Sequence, residues 1–252
     1  MPEPLGSLLD RCLSVDLEVD PKTAHIFALS AVWNDTRPAI QSKGRDLVPA
    51  LDRLENASAE VDHLIGHNIL RHDLPHLAAA RPRLAALAQS SIDTLWLNPL
   101  AFPRNPYHHL VKHYHDGRLQ AGHVNDPELD ARLVFQVLEN QLAALQRLNE
   151  EEPDAVTAFH YLTTRMEHAG GFEAVFRHVR SAETPTYATA REAMLRLLTS
   201  RACGQRIAEV LERISSPQLG WPTAYALSWI LVAGGDSVMP PWVRAQFREA
   251  AL

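Results

Sequence analysis

Between Cys12 and Val19, apolar Leu13, Val15, Leu17 and Val19 alternate with Ser14, Asp16 and Glu18, a period of two that predicts a strand with one apolar and one polar face. Asp20, Pro21, Lys22 and Thr23 make a turn, and the bulky apolar run 24–33 is expected to pair back as a hairpin. A third short strand is expected over 37–41. The spacing then becomes helical over 45–55, with Leu47, Val48, Leu51 and Leu54 in register, and 61–66 reads as a short buried strand.

Over 73–88 the apolar positions Leu74, Leu77, Ala80, Leu84 and Leu87 are interrupted by Pro75 and Pro82, so one kinked helix or two short ones fit. A last strand is expected over 91–97, a proline-rich loop over 98–106, a short helix over 107–115 and a turn at Asp116-Gly117. Asp126 as N-cap and Pro127 at the first helical position open a strong helix through Leu129, Leu133, Val137, Leu138, Leu142 and Leu145, ending near residue 148. The acidic stretch Glu150-Glu151-Glu152-Pro153-Asp154 is the expected boundary. It divides the chain into a mixed α/β domain, 1–149, and an all-helical domain, 150–252, with helices near 155–168, 171–180, 187–199, 204–214, 221–233 and 240–250.

With 252 residues, 46% of them hydrophobic, the chain has ample material for a core. The run 221–235 is too short, and at Pro222, Thr223, Tyr225 and Ser228 too polar, to span a bilayer. The N-terminus lacks the basic start and apolar run of a secretion signal, so a soluble cytoplasmic protein without membrane contact is expected. Cys12 and Cys203 form no paired motif and are expected to be small buried hydrophobes, as Trp221, Trp229 and Trp242 are expected in the helical core. The net charge of −6 argues against a nucleic-acid coat protein, because nonspecific phosphate binding is driven by Lys and Arg. An enzyme with a metal-filled acidic cleft escapes that argument, since its cations neutralise the carboxylates.

Asp16 and Glu18 project from one strand face and repel; a wet edge strand tolerates this, and a hard divalent cation with oxygen ligands relieves it. A second polar segment, Gly66-His67-Asn68-Ile69-Leu70-Arg71-His72-Asp73, carries an acid from a strand end into a helix, where open α/β sheets place their sites. A third, His123-Val124-Asn125-Asp126-Pro127-Glu128-Leu129-Asp130-Ala131, offers a histidine before a helix and acids at its start. Three histidine pairs lie four apart, His63/His67, His72/His76 and His109/His113, yet none has the Glu of His-Glu-x-x-His, so hydrogen-bonded or surface histidines compete with a zinc reading.

Asp-Leu-Glu on a first strand, His-Asn followed by an acid, and His followed by Asp-Ala opening a long helix together resemble the DEDDh exonucleases, over roughly residues 12–148. Ile92-Asp93-Thr94-Leu95 is similar to the family's Asp-Thr step. Within that superfamily the stretch from His67 through Asn98-Pro99-Leu100 to His123 resembles the exonuclease-like N-terminal region of some bacterial RecQ-family DNA helicases. No Gly-x-x-x-x-Gly-Lys-Ser/Thr loop is present, which leaves open that the chain is the first part of a longer protein.

The resemblance implies a ribonuclease-H-like α/β fold, a mixed sheet flanked by helices, and 3′–5′ hydrolysis of nucleic acid. It implies Asp16, Glu18, Asp73 and Asp130 as ligands of two divalent cations, Mg²⁺ or Mn²⁺, and His123 as general base. Leu17 and Asn68 are implied as substrate-side residues. His123 and Asp130 are separated by six residues, more than the family usually places there, so Asp126 stays a rival ligand and a catalytically weakened binding or docking module a rival reading. Arg104, Tyr107 and Lys112 make the approach to His123 basic and aromatic, suited to a DNA 3′ end or equally to a solvated face. Within the same fold an exoribonuclease is the nearest rival reading.

Overall fold

The computed structural model describes residues 8–44, 47–104, 114–115, 118–119, 126–199 and 201–233. Its described residues divide into two compact units, one within 8–95 and 114–140, the other within 96–104 and 141–233.

The first unit is organised by a five-stranded mixed sheet. Its strands are β1 (Cys12–Val19), β2 (Ile26–Trp33), β3 (Ile40–Lys43), β4 (His63–Gly66) and β5 (Ile92–Asp93), in the spatial order β3-β2-β1-β4-β5. β1 to β3 form an antiparallel meander, whereas β4 and β5 run parallel to β1 on its other side. The Asp20 carboxylate shapes the β1–β2 turn by accepting the amides of Lys22 at 2.8 Å and Thr23 at 3.1 Å. β3 starts later than 37–41 suggests, since its partner register begins at Ile40.

The alternation in β1 does what period two dictates. Leu13, Val15 and Leu17 enter a core with Leu29, Ala31 and Ile40 of the neighbouring strands. That face is closed by α1 (Leu47–Ser58) through Leu51 and Leu54, by α2 (Asp73–Ala80) through Leu74 and Leu77, and by a 3-10 segment, Pro82–Ser90, through Leu84. The interruption at Pro82 thus separates two short elements. Ser14, Asp16 and Glu18 occupy the opposite face, where Asp16 lies across from Ser30 and Glu18 from Ala28.

Two expectations are corrected beyond β4. The strand expected over 91–97 ends at Asp93, and α3 (Thr94–Ala101) follows at once, running through Pro99 into what reads as a loop. The part of the helix expected over 107–115 that is described, Tyr114–His115 (β6), instead pairs antiparallel with Arg118–Leu119 (β7). α4 (Pro127–Glu151) begins where Asp126 and Pro127 predict and continues to Glu151.

The second unit is helical, as expected: α5 (Pro153–Thr163), α6 (Gly170–Arg180), α7 (Tyr187–Thr199), α8 (Gly204–Arg213) and α9 (Gly220–Ala233), the last preceded by a 3-10 turn at Pro217–Leu219. Its centre is aromatic, with Phe159, Phe172, Phe176 and Tyr225 fully buried. α9 approaches α5 so closely that a Cβ on Gly220 would stand 2.2 Å from the Leu162 carbonyl oxygen, so only glycine fits. Buried His160 joins α5 to α6: its Nε2 lies 2.9 Å from the Glu173 carboxylate and its Nδ1 accepts from Arg180 at 2.7 Å. Burial pulls the His160 ring below the usual imidazole value. Cys12 is buried but Cys203 is exposed, contrary to expectation. Trp221 is buried, Trp229 is half-buried and Trp242 lies outside the described residues. Among the described residues no helix is long and apolar enough to cross a membrane.

Candidate metal centre

The site grows from the polar face of β1. Pairing to β2 is regular through Glu18 and shifts register between Glu18 and Val19, so both acids stand on ordered strand before the irregularity. The third acid comes from the first turn of α4, where three side chains divide the work. Asp126 accepts the Glu128 amide at 3.2 Å, as a cap does. Glu128 accepts from the Gln41 amide of β3 and from Arg132, at 2.9 and 2.7 Å, which ties the helix start to the sheet. Asp130, buried, turns toward β1.

As a result the carboxylate oxygens of Asp16, Glu18 and Asp130 lie within 4.8 Å of one another, close enough to share a metal ion. Of the two candidates in the third segment, Asp130 therefore joins β1 and Asp126 caps. Three acids at this spacing repel, and the amide dipoles at the α4 N-terminus offset only part of that charge. The donor set is oxygen alone, which suits a hard cation and not zinc. No histidine joins a metal-ligand cluster among the described residues.

Asp73 is outside that trio and reaches β1 by another route. Among the described residues β4 pairs with β1 only from Cys12 to Ser14, and no strand pairs with the rest of that edge. The chain leaves β4 at Gly66, passes Asn68 in a left-handed conformation (φ 69°) and wraps tightly: Asn68 O accepts the amides of Arg71 at 3.2 Å and His72 at 2.9 Å, and Ile69 O that of Leu74 at 2.9 Å. Gly66 is required here, because a Cβ would meet Ile69 Cβ at 2.8 Å and the Val15 carbonyl at 3.1 Å. The wrap delivers Asp73, 3% exposed, onto that edge, where its Oδ1 accepts the Leu17 amide at 3.1 Å. Burial raises the Asp73 carboxyl above the usual carboxylate range, opposed by His72 and by the Leu17 amide. Asp73 in turn raises the imidazole of His72, with smaller contributions from Asp16 and Glu18. His72 thus sits in the field of three of the four acids.

A fifth acid, which sequence reasoning noted only as a resemblance, closes the arrangement. Asp93 is fully buried, and its Oδ1 accepts the amides of Asn68 at 3.0 Å and Leu95 at 2.9 Å while its Oδ2 accepts that of Leu70 at 3.1 Å. Burial pushes its carboxyl up to about 7, against the pull of these three donors. The next residue, Thr94, donates its hydroxyl proton to Gly66 O at 3.2 Å, so the 3.0 Å contact from His67 Nδ1 places the ring proton on Nδ1. The available signal was an acid set between Ile92 and the apolar Leu95-Trp96-Leu97, where burial tolerates a carboxylate only with donors at hand.

The remaining expected residues are scattered or outside view. The Leu17 side chain is buried in the core and its amide serves Asp73. Asn68 contributes its backbone to the wrap. Arg104 is exposed. Tyr107, Lys112 and His123 lie outside the described residues. His63 bonds the Ser90 carbonyl at 2.8 Å and His72 packs edge-on to His76, with ring centres 5.4 Å apart. Comparison of the chain with protein-family models, with curated proteins and with solved structures returns no match to any of the three.

Proposed function

We propose that the chain is a metal-dependent 3′–5′ exonuclease of DEDDh type, with a ribonuclease-H-like domain acting on DNA. The observation that carries this reading is the convergence of Asp16, Glu18 and Asp130, two neighbours on a strand and one acid from a distant helix, to within 4.8 Å. A wet strand face accounts for Asp16 and Glu18 but gives no reason for Asp130 to be buried against them. The mixed sheet with its acid-bearing central strand, covered on the other face by helices, supports the fold reading.

Under this reading Asp16, Glu18 and Asp130 would hold one divalent cation and Asp73 would contribute to a second, Mg²⁺ or Mn²⁺. Bound cations of this kind stabilise negative charge on the attacking and leaving oxygens of a phosphodiester. The chain's own contribution is to fix the carboxylates: β1 by its pairing, Asp130 by the capped start of α4, Asp73 by the wrap from Gly66. His123 is assigned to accept the proton of the attacking water, whose oxygen bonds phosphorus as the 3′ oxygen departs, releasing a nucleoside 5′-monophosphate.

Incubating the protein with 5′-labelled single-stranded DNA and Mn²⁺ should give a ladder shortened from the 3′ end. Absence of degradation, or degradation that persists unchanged in Asp16→Ala, refutes the proposal. Matched RNA and DNA strands in the same assay separate an exoribonuclease from a DNA exonuclease.

A further inference from the structure

We propose that Asp93 is the positioning residue of this centre: its buried carboxylate clamps the 68–70 loop and thereby holds the Asp73 carboxylate on the β1 edge. Its catalytic consequence rests on the nuclease reading, whereas the clamp itself is a statement about the fold.

The connection is continuous. Asp93 grips Asn68 and Leu70 by their amides, Asn68 O and Ile69 O hold the amides of Arg71, His72 and Leu74, and Asp73 within that segment reaches Leu17. The loop passes through Asn68 in the left-handed region, which asparagine tolerates better than other non-glycine residues, and these amide contacts hold it there. Thr94 secures the strand end of the same loop through Gly66 O and His67.

An ordinary helix cap explains only part of this. Asp93 precedes α3 and caps it through the Leu95 amide, but its other two donors lie 25 and 23 residues back in the chain. The distinction between cap and clamp is chemical. Asparagine caps a helix about as well as aspartate, yet it has one acceptor oxygen, and its NH₂ would face the Leu70 N–H donor. Because Oδ1 serves both Leu95 and Asn68, Asp93→Asn spares the cap and the Asn68 grip and breaks the clamp at Leu70.

Amide hydrogen exchange followed by NMR reads the result. In Asp93→Asn the Leu17 amide should exchange about 10-fold or more faster, because its acceptor is no longer held, while the Leu95 amide keeps its protection. Mn²⁺ calorimetry should show binding at Asp16, Glu18 and Asp130 within about twofold of wild type, while kcat for DNA falls about 10–100-fold with little change in KM. A simple loss of fold would weaken all of these together. The fall should not add to that of Asp73→Ala in the double variant, since both act through one carboxylate. Should Asp93→Asn not fold, Thr94→Val, which releases the other end of the loop, should speed Leu17 exchange in the same direction. Wild-type protection at Leu17 in the folded variants overturns the clamp. A wild-type protein that degrades no DNA overturns the nuclease reading instead, and the exchange at Leu17 still decides the clamp.

Discussion

Neutralising one member of the acidic trio should make the metal-free protein more stable, the reverse of the usual effect of substituting a partly buried residue. The oxygens of Asp16, Glu18 and Asp130 lie within 4.8 Å of each other. Two unit charges at that distance repel by about 0.9 kcal/mol in a fully aqueous dielectric and by about 3.5 kcal/mol at an effective dielectric near 20. Asp16→Asn keeps the shape of the side chain and removes two of the three pairs. After screening, and after the favourable pull of the α4 N-terminus on the remaining acids, a net gain of about 1–3 kcal/mol is expected. That corresponds to a rise in Tm of roughly 2–12 °C for a domain of this size. Differential scanning calorimetry in EDTA and again in Mn²⁺ tests it. Cation at about 100 times its Kd should stabilise the wild type by about 2.7 kcal/mol, and should do much less for the variant, so the order of the two melting temperatures narrows or reverses. A variant no more stable than wild type in EDTA, with an undiminished response to Mn²⁺, refutes the reasoning.

Asp126→Ala and Asp130→Ala should separate cap from ligand: the first lowers stability by about 1 kcal/mol with Mn²⁺ affinity intact, the second abolishes the Mn²⁺ heat in calorimetry. Gly66→Ala should cost about 1–3 kcal/mol by driving a methyl into Ile69, and chemical denaturation should show it together with faster exchange at Leu17. His160 is held neutral in the folded protein because burial depresses its basicity. The unfolded chain therefore binds more protons as pH falls below about 6.5, so stability is full above that pH and is lost on acidification. Urea midpoints across pH 5–8 should show the loss, and His160→Gln should flatten it.

How much of this is legible beforehand depends on the range of the interaction. The β1 face, the capped start of α4 and the helices of the second unit follow from periodicity and from Asp126-Pro127, which act within a turn or a strand. The end of β5 does not. Leu95, Trp96, Leu97 and Leu100 are apolar enough to pass for strand, and Pro99 for a loop. The helix there is fixed by the Asp93 cap at one end and, at the other, by Trp221 and Ser228, whose side chains donate to the Trp96 and Pro99 carbonyls at 2.9 and 3.1 Å. Residues 125 or more positions away in the chain supply those partners. Likewise, period two places Asp16 and Glu18 side by side, but nothing local reveals that Asp73 bonds an amide 56 residues earlier. Cys203 departs from expectation because the residue type is usually buried, while its position just before α8 is exposed.

The most direct test is an anomalous difference map from crystals soaked in Mn²⁺. The proposal predicts a peak about 2 Å from oxygens of Asp16, Glu18 and Asp130, lost in Asp16→Asn. No peak at these three carboxylates contradicts it.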